Sequence, residues 1–301
     1  MTTQNWLYPI RHDSDADFRG WGADLSAKLA AVGLVKTADT GQINWTTVTR
    51  PGVNTYAGYE IWRYPDSSIF MKWEFGTGSG GATFPAVRVQ VGTGSNGAGT
   101  LTGTVSGANI IHLTSYALSS PGTQRQSVMS FSNGFFGFDG YMGAHAGGTA
   151  NFGGVAGSEY MFFAVAQTTD ANGAVTSDGA VVYWNNLTVS QSNQHARHQA
   201  LDFTTNTART ATSDGSYGYV PGSLTNSLVG ADFQAFVNWA AYPAVRPTMG
   251  VVTVVPSELA SPVYTTFQTA VVGSTPRTYI SLGGTVRGAV SGTYALAMLF
   301  E

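Results

Sequence analysis

Two glutamates, Glu60 and Glu74, fall within YEIWRY (59–64) and IFMKWEF (69–75), beside Tyr59, Trp62, Trp73 and Phe75. Paired carboxylates among aromatics could hydrolyse a glycosidic bond. One carboxyl protonates the leaving oxygen while the other attacks or activates water. The opposing reading is that strands collect aromatics anyway and that both acids face solvent. Asp13, Asp15 and Asp17, with Asp24 eleven residues after Asp13, imitate the spacing of a calcium loop, but Phe18 stands where that loop needs glycine. Carboxylates at those positions also suit the positive end of a helix. His195 and His198 form an H-x-x-H pair with no neighbouring acidic or cysteine ligand, which fits a polar linker better than a zinc site. No G-x-S-x-G elbow occurs, five histidines define no triad, and no dinucleotide fingerprint appears. The residues therefore assign no catalytic, cofactor or metal position, and the chain reads as non-enzymatic.

The elements that would position these groups can be read from hydrophobic period. From Phe18, apolar residues recur at Trp21, Leu25, Leu29 and Val32, steps of three and four along one helical face. Ser14 with Asp17 three residues later is a start signal, and Gly33 sits at the C′ position. Gly20 and Gly22 oppose this helix by about 1 kcal/mol each relative to alanine. It must dock its apolar face, either on a neighbouring subunit or over one end of its own β core. The period then shortens to two. Strands are expected at 59–64, 69–75 and 86–91, forming an antiparallel meander with a turn at Pro65-Asp66-Ser67. Ile69, Met71, Trp73 and Phe75 share one face, and in the third strand Val87, Val89 and Val91 alternate with Arg88 and Gln90.

Further strands are expected at 110–118, 126–131, 159–167, 181–189, 250–255, 263–272, 278–282 and 293–300, with a helical or loop piece near Asp232–Trp239. The Gly/Ser/Thr-rich segment 92–108 reads as a mobile loop or a long hairpin. The aromatic-glycine segment 131–154 reads as a β corner or a contact loop. Regular strands between turn residues imply a mainly β chain, an antiparallel sandwich or jelly roll with one short N-terminal amphipathic helix. The expected divisions are an N-terminal arm and helix at 1–50, a β-sandwich domain at 51–190, and a second β region at 191–301 that could belong to the same sandwich. The polar run Ser190–Gln194 is the boundary.

Composition narrows the function. Charged residues make up 10% of the 301, against roughly 25% in an average soluble domain. Glycine numbers 38, while aromatics at 12% suffice for a large core. A chain this poor in charge covers its surface with copies of itself or with partners. A net charge of −3 without a Lys/Arg cluster argues against gripping nucleic acid. No apolar run approaches the roughly 18 residues of a membrane span, and the first twenty residues do not form a secretory signal. The absence of cysteine removes disulfides and thiolate metal sites.

Residues 11–51 (RHDSDADFRGWGADLSAKLAAVGLVKTADTGQINWTTVTRP), with YAGYEIWRY (56–64) and FMKWEFGTG (70–78), resemble the N-terminal part of virion structural proteins of tailed bacteriophages and prophages. The resemblance covers the first third of the chain and carries no catalytic motif. It implies assembly into the virion, in the bacterial cytoplasm, without giving the station; the favoured reading is a multicopy component of the tail or baseplate, or a fibre-attachment protein. A capsid decoration (cement) protein and a glycan-binding host-recognition module are the alternatives. The implied partners are copies of itself, as a homo-oligomer with a trimer favoured, and other virion proteins. Host surface glycan is the alternative ligand; neither nucleic acid nor membrane insertion is expected. On this reading the assembly contacts are Trp6, Phe18, Trp21, Leu25 and Leu29, from the helix and the preceding Trp6–Ile10 arm. Tyr59, Trp62 and Trp73 are the alternative glycan contacts.

Overall fold

The computed structural model describes residues 2–9, 12–53, 55–65, 68–77 and 85–103, and beyond these the strand segments 111–114, 124–132, 135–141, 151–152, 155–156, 160–169, 175–185, 199–202, 207–210, 231–234, 248–254, 266–269, 277–283 and 295–300. The chain runs β1 (Thr2–Pro9), α1 (Asp15–Val32), β2 (Val35–Lys36), β3 (Tyr56–Arg63), β4 (Phe70–Thr77), β5 (Pro85–Gly92), β6 (Gly94–Ser95), β7 (Leu101–Thr102) and β8 (Ile111–Thr114). There follow β9 (Gln124–Ser132), β10 (Phe135–Tyr141), β11 (Asn151–Phe152), β12 (Val155–Ala156), β13 (Tyr160–Thr169), β14 (Val175–Asn185), β15 (Gln199–Asp202) and β16 (Thr207–Thr210). The last are β17 (Ala231–Gln234), β18 (Thr248–Val254), β19 (Thr266–Thr269), β20 (Arg277–Gly283) and β21 (Ala295–Leu299). The described chain is mostly β, in antiparallel sheets, with one helix.

The helix starts where its cap predicts. Ser14 is extended (φ −136°, ψ 166°) and its hydroxyl accepts the Asp17 N–H at 3.1 Å, while the Asp17 carboxylate accepts the Ser14 N–H at 3.0 Å. This reciprocal box satisfies donors that the first turn leaves open. The end is equally local: Gly33 takes φ +116°, and its N–H reaches the Ala30 carbonyl at 3.0 Å. Phe18, Trp21, Leu25, Leu29 and Val32 are all buried, so the apolar stripe faces the chain's own core.

The expected meander forms β3, β4 and β5 of a sheet ordered β2-β3-β4-β5-β8. Alternation sends Met71, Trp73, Phe75, Val87, Val89 and Val91 inward, as the period of two requires. A second sheet is ordered β1-β9-β10-β13-β14. Its edge strand β1 pairs antiparallel with β9 over the full stretch from Thr2 opposite Phe131 to Pro9 opposite Gln124. The N-terminal arm is therefore a strand of the sheet built from residues 124–185. Trp6 and Tyr8 point inward and stack on each other, with ring centroids 4.1 Å apart.

The helix and the two sheets share one core. Trp73 of β4 meets the edges of Phe136 and Phe138 of β10 at 6.3 and 5.5 Å. Tyr64 packs on Phe131 of β9 at 5.0 Å and donates its hydroxyl to the Val165 carbonyl of β13 at 2.5 Å. Trp21 of α1 meets Phe75 of β4 at 5.9 Å.

A third sheet, β17-β18-β21-β20-β19, gathers the C-terminal strands. The final strand, apolar on both faces by sequence, runs between β18 and β20. A strand interior to its sheet is where that pattern belongs. One expectation is corrected here: the piece near Asp232 is strand β17, bonded to β18, over its described residues. Four residues are too few to show a period, so pairing decides. The hairpin reading of 92–108 holds for its described part, where β6 and β7 pair; residues 104–108 lie outside the described residues. Within 131–154 the described residues are strands β9, β10 and β11. Ser190–Gln194, His195 and His198 lie outside the described residues.

Candidate functional site

The candidate acids separate. Along β3, Glu60 has the parity of Trp62, and across the ladder it stands opposite Trp73. Glu74 stands opposite Tyr59. Successive side chains on a strand alternate faces, so Glu60 enters the core and Glu74 lies on the outer face of the same sheet. Two carboxyls on opposite sides of a sheet cannot flank one glycosidic bond.

Glu60 is fully buried. Its Oε1 accepts hydrogen bonds from Ser26 Oγ at 3.0 Å, Lys36 Nζ at 2.6 Å and Trp45 Nε1 at 3.0 Å. Its Oε2 accepts from Trp62 Nε1 at 3.0 Å. Each donor arrives on a different element: Ser26 on α1, Lys36 on β2, Trp45 on the segment between β2 and β3, Trp62 on β3 itself. A carboxylate offers about four acceptor sites, two on each oxygen; here three donors converge on Oε1 and one reaches Oε2. Glu60 thereby ties α1, β2, the segment carrying Trp45 and β3 to one carboxylate. Lys36 supplies the opposite charge while its side chain stays about one-third exposed (34%), so the pair is desolvated on one side only.

Glu74 belongs to a ladder across β3, β4 and β5. Arg88 binds it through Nε and a terminal guanidinium nitrogen, and Lys72 Nζ lies 3.3 Å away. Each cation also covers an aromatic face: Lys72 sits 4.7 Å from the Tyr59 ring centroid and Arg88 4.1 Å from that of Tyr56. Burial, reinforced by the Glu74 carboxylate and opposed by Arg88, holds the Tyr56 phenol well above its ordinary range. Tyr59 is also raised, by burial and by Asp39, and its hydroxyl donates to the Thr40 carbonyl.

A third polar cluster locks the β6–β7 hairpin. The Asp39 carboxylate accepts from Thr37 Oγ1 at 2.6 Å, from Ser95 Oγ, and from the Gly99 N–H at 3.1 Å. The Thr40 N–H bonds the Gly97 carbonyl at 2.9 Å. Desolvation pushes the Asp39 carboxyl up, but the bonds from Ser95, Thr37 and Gly99 outweigh it and hold the group below its usual range. Gly99 takes φ +87° against the Tyr59 hydroxyl, where an added Cβ would lie 2.1 Å away.

The remaining sequence candidates fall as follows. Asp17 closes the helix cap, and Asp15 accepts the Arg50 N–H at 2.9 Å and pairs with Arg19 at 3.8 Å. Among the described residues no group of three His, Asp or Glu is arranged to hold a metal. Trp6, Phe18, Trp21, Leu25 and Leu29 are buried in the chain's own core, so a neighbouring subunit cannot reach them without opening it. Of the glycan candidates, Trp62 and Trp73 are buried, and Tyr59, half-buried, is capped by Lys72. Ser26, Lys36, Trp45 and Asp39 escaped sequence reasoning. The one available signal was the parity of Glu60 with Trp62 and Tyr64, which places an acid on an apolar face and demands a partner for it. Among the described residues no helix is long and apolar enough to cross a membrane. Comparison with protein-family models, with curated proteins and with solved structures found no match to this chain.

Proposed function

We propose that this chain is a non-enzymatic structural protein of a tailed-phage virion, acting in multiple copies at the tail or baseplate or as a fibre-attachment protein. The observation that carries the reading is the surface chemistry the composition dictates. With 10% charged residues and 38 glycines, the chain is suited to close packing against copies and partners rather than to standing alone in solvent. The non-enzymatic part is supported by the two glutamates, which face opposite sides of one sheet and are each bound by neighbouring donors. We also infer a sandwich arrangement for the first two sheets, supported by the contacts of Trp73 with Phe136 and Phe138 and of Tyr64 with Phe131. The burial of the helix stripe moves the expected contacts away from Leu25 and Leu29 to the exposed surface, including the hairpin tip Asn96–Ala98.

Immunogold labelling of intact particles, viewed by electron microscopy, tests this reading. Gold at the tail end is the expected result. Gold spread over the shell replaces it with the capsid-decoration alternative, and reproducible absence with an accessible epitope overturns the virion assignment.

A further inference from the structure

His12 lies at the junction of β1 and α1 and is completely buried. Its ring contacts are aromatic: Trp21 at 5.3 Å and Phe18 at 6.2 Å. Neither ring nitrogen has a hydrogen-bond partner of acceptable geometry; the Pro9 carbonyl comes near enough only to favour a proton on the ring. The His12 backbone carbonyl accepts from an Arg50 guanidinium nitrogen, and the Arg50 N–H bonds Asp15 at the helix start. Three pieces therefore meet at this residue: α1 through its ring, the segment at Arg50 through its carbonyl, and β1 through Trp21, whose indole lies 6.0 Å from that of Trp6. On the far side of this junction, among the described strands, β1 is an edge strand paired with β9 alone.

We propose that His12 is an acid-sensitive latch, which keeps β1 docked while the ring is neutral and releases the strand when the ring is protonated. An imidazolium needs acceptors to share its charge; Phe18 and Trp21 present aromatic rings to it, and the Pro9 carbonyl offsets the burial only in part. The charged groups around it are Asp17 on α1, Arg50 on the crossing segment, and Asp13 beside it in sequence. Burial dominates and pushes the imidazole down to about 4; Asp17, the Pro9 carbonyl and Asp13 pull it up, and Arg50 lowers it further. Between 6.5, the value of an ordinary imidazole, and about 4, the released form binds a proton that the docked form does not. The docked state thus loses ground about tenfold for each pH unit in that window, and is fully favoured above it. β1 is the element freed, because it has one strand partner, whereas β3, β4 and β5 are paired in series within their sheet. The latch is independent of the virion reading.

Amide hydrogen exchange on the full chain, corrected for intrinsic rates at each pH, tests it. The expected result is that residues 2–9 lose protection about tenfold per pH unit below 6.5, while β3–β5 keep theirs. His12→Phe, which keeps a ring between Phe18 and Trp21, is expected to abolish that slope. Loss of protection in β1 and β3–β5 together, or an unchanged slope in His12→Phe, overturns the proposal. Where His12→Phe fails to fold, the imidazole resonances of the unaltered chain decide: a folded-state titration of His12 near 6.5 overturns it, and one displaced toward 4 sustains it.

Discussion

The Trp45 indole fills the space that a side chain at Gly22 would need: an ideal Cβ on Gly22 falls 1.9 Å from Cη2 of Trp45. The same indole donates its N–H to Glu60 and meets Phe75 edge-on at 4.9 Å. A helix glycine, unfavourable by propensity, is thus the position that lets a ring reach a buried carboxylate.

Gly22→Ala should therefore destabilise the chain despite the better helix propensity of alanine. Displacing Trp45 loosens its bond to Glu60, for a net loss of about 1–3 kcal/mol. Gly20 is the internal control, since nothing lies within 4 Å of a Cβ there. Gly20→Ala should be neutral or stabilising by up to ~1 kcal/mol. Urea unfolding of the two variants side by side checks the contrast, and equal effects would refute it.

Replacing Glu60 by Gln leaves the Lys36 ammonium without its counter-charge and turns an amide N–H₂ toward indole N–H groups. Loss of about 3 kcal/mol is expected. Lys36→Met leaves the fully buried carboxylate without its counter-charge and should cost a comparable amount, offset in part by the bonds from Ser26, Trp45 and Trp62. In a double-mutant cycle the two changes should couple by at least ~1 kcal/mol; additive behaviour would show that the ion pair contributes little.

Leu25→Asp or Leu29→Asp places a charge in the core that α1 shares with both sheets. Either should cost more than about 4 kcal/mol and unfold the chain. Circular dichroism distinguishes this from an attachment role, which would leave a folded protein that fails to incorporate into particles.

At the β6–β7 hairpin, Asp39 is held below its ordinary range, so the bonds it accepts contribute stability above the unfolded carboxyl's titration and lose it as pH falls through the folded value. Hydrogen exchange at the Gly99 amide, corrected for its intrinsic rate at each pH, should lose protection in acid. Asp39→Asn should raise that exchange at neutral pH and remove its acid dependence. A hairpin whose exchange ignores both changes would show that other contacts hold it.

Local signals carried much of the fold. The helix was legible because its cap, stripe and terminal glycine sit within twenty residues, and the meander because its alternation is strict. β1 was missed as a strand because TTQNWLYP shows only Trp6 and Tyr8 in alternation, and its partner β9 lies more than a hundred residues away in sequence. The site was less legible. Aromatic neighbours on both strands allow Glu60 and Glu74 to be read as a pair, and only the cross-strand register places them on opposite faces. The donors to Glu60 come from elements whose convergence no local pattern encodes, and Gly22 looked like a defect until the ring beside it was seen.

The pairing of β1 with β9 also sets an order of events during synthesis. β1 emerges before the other described elements, but within one chain its partner is complete only at Ser132. At typical translation speeds the strand waits roughly 6–25 s for that partner. Over that interval α1 and the β3–β4–β5 meander can assemble from contacts close in sequence, whereas the strand made first joins its sheet among the last.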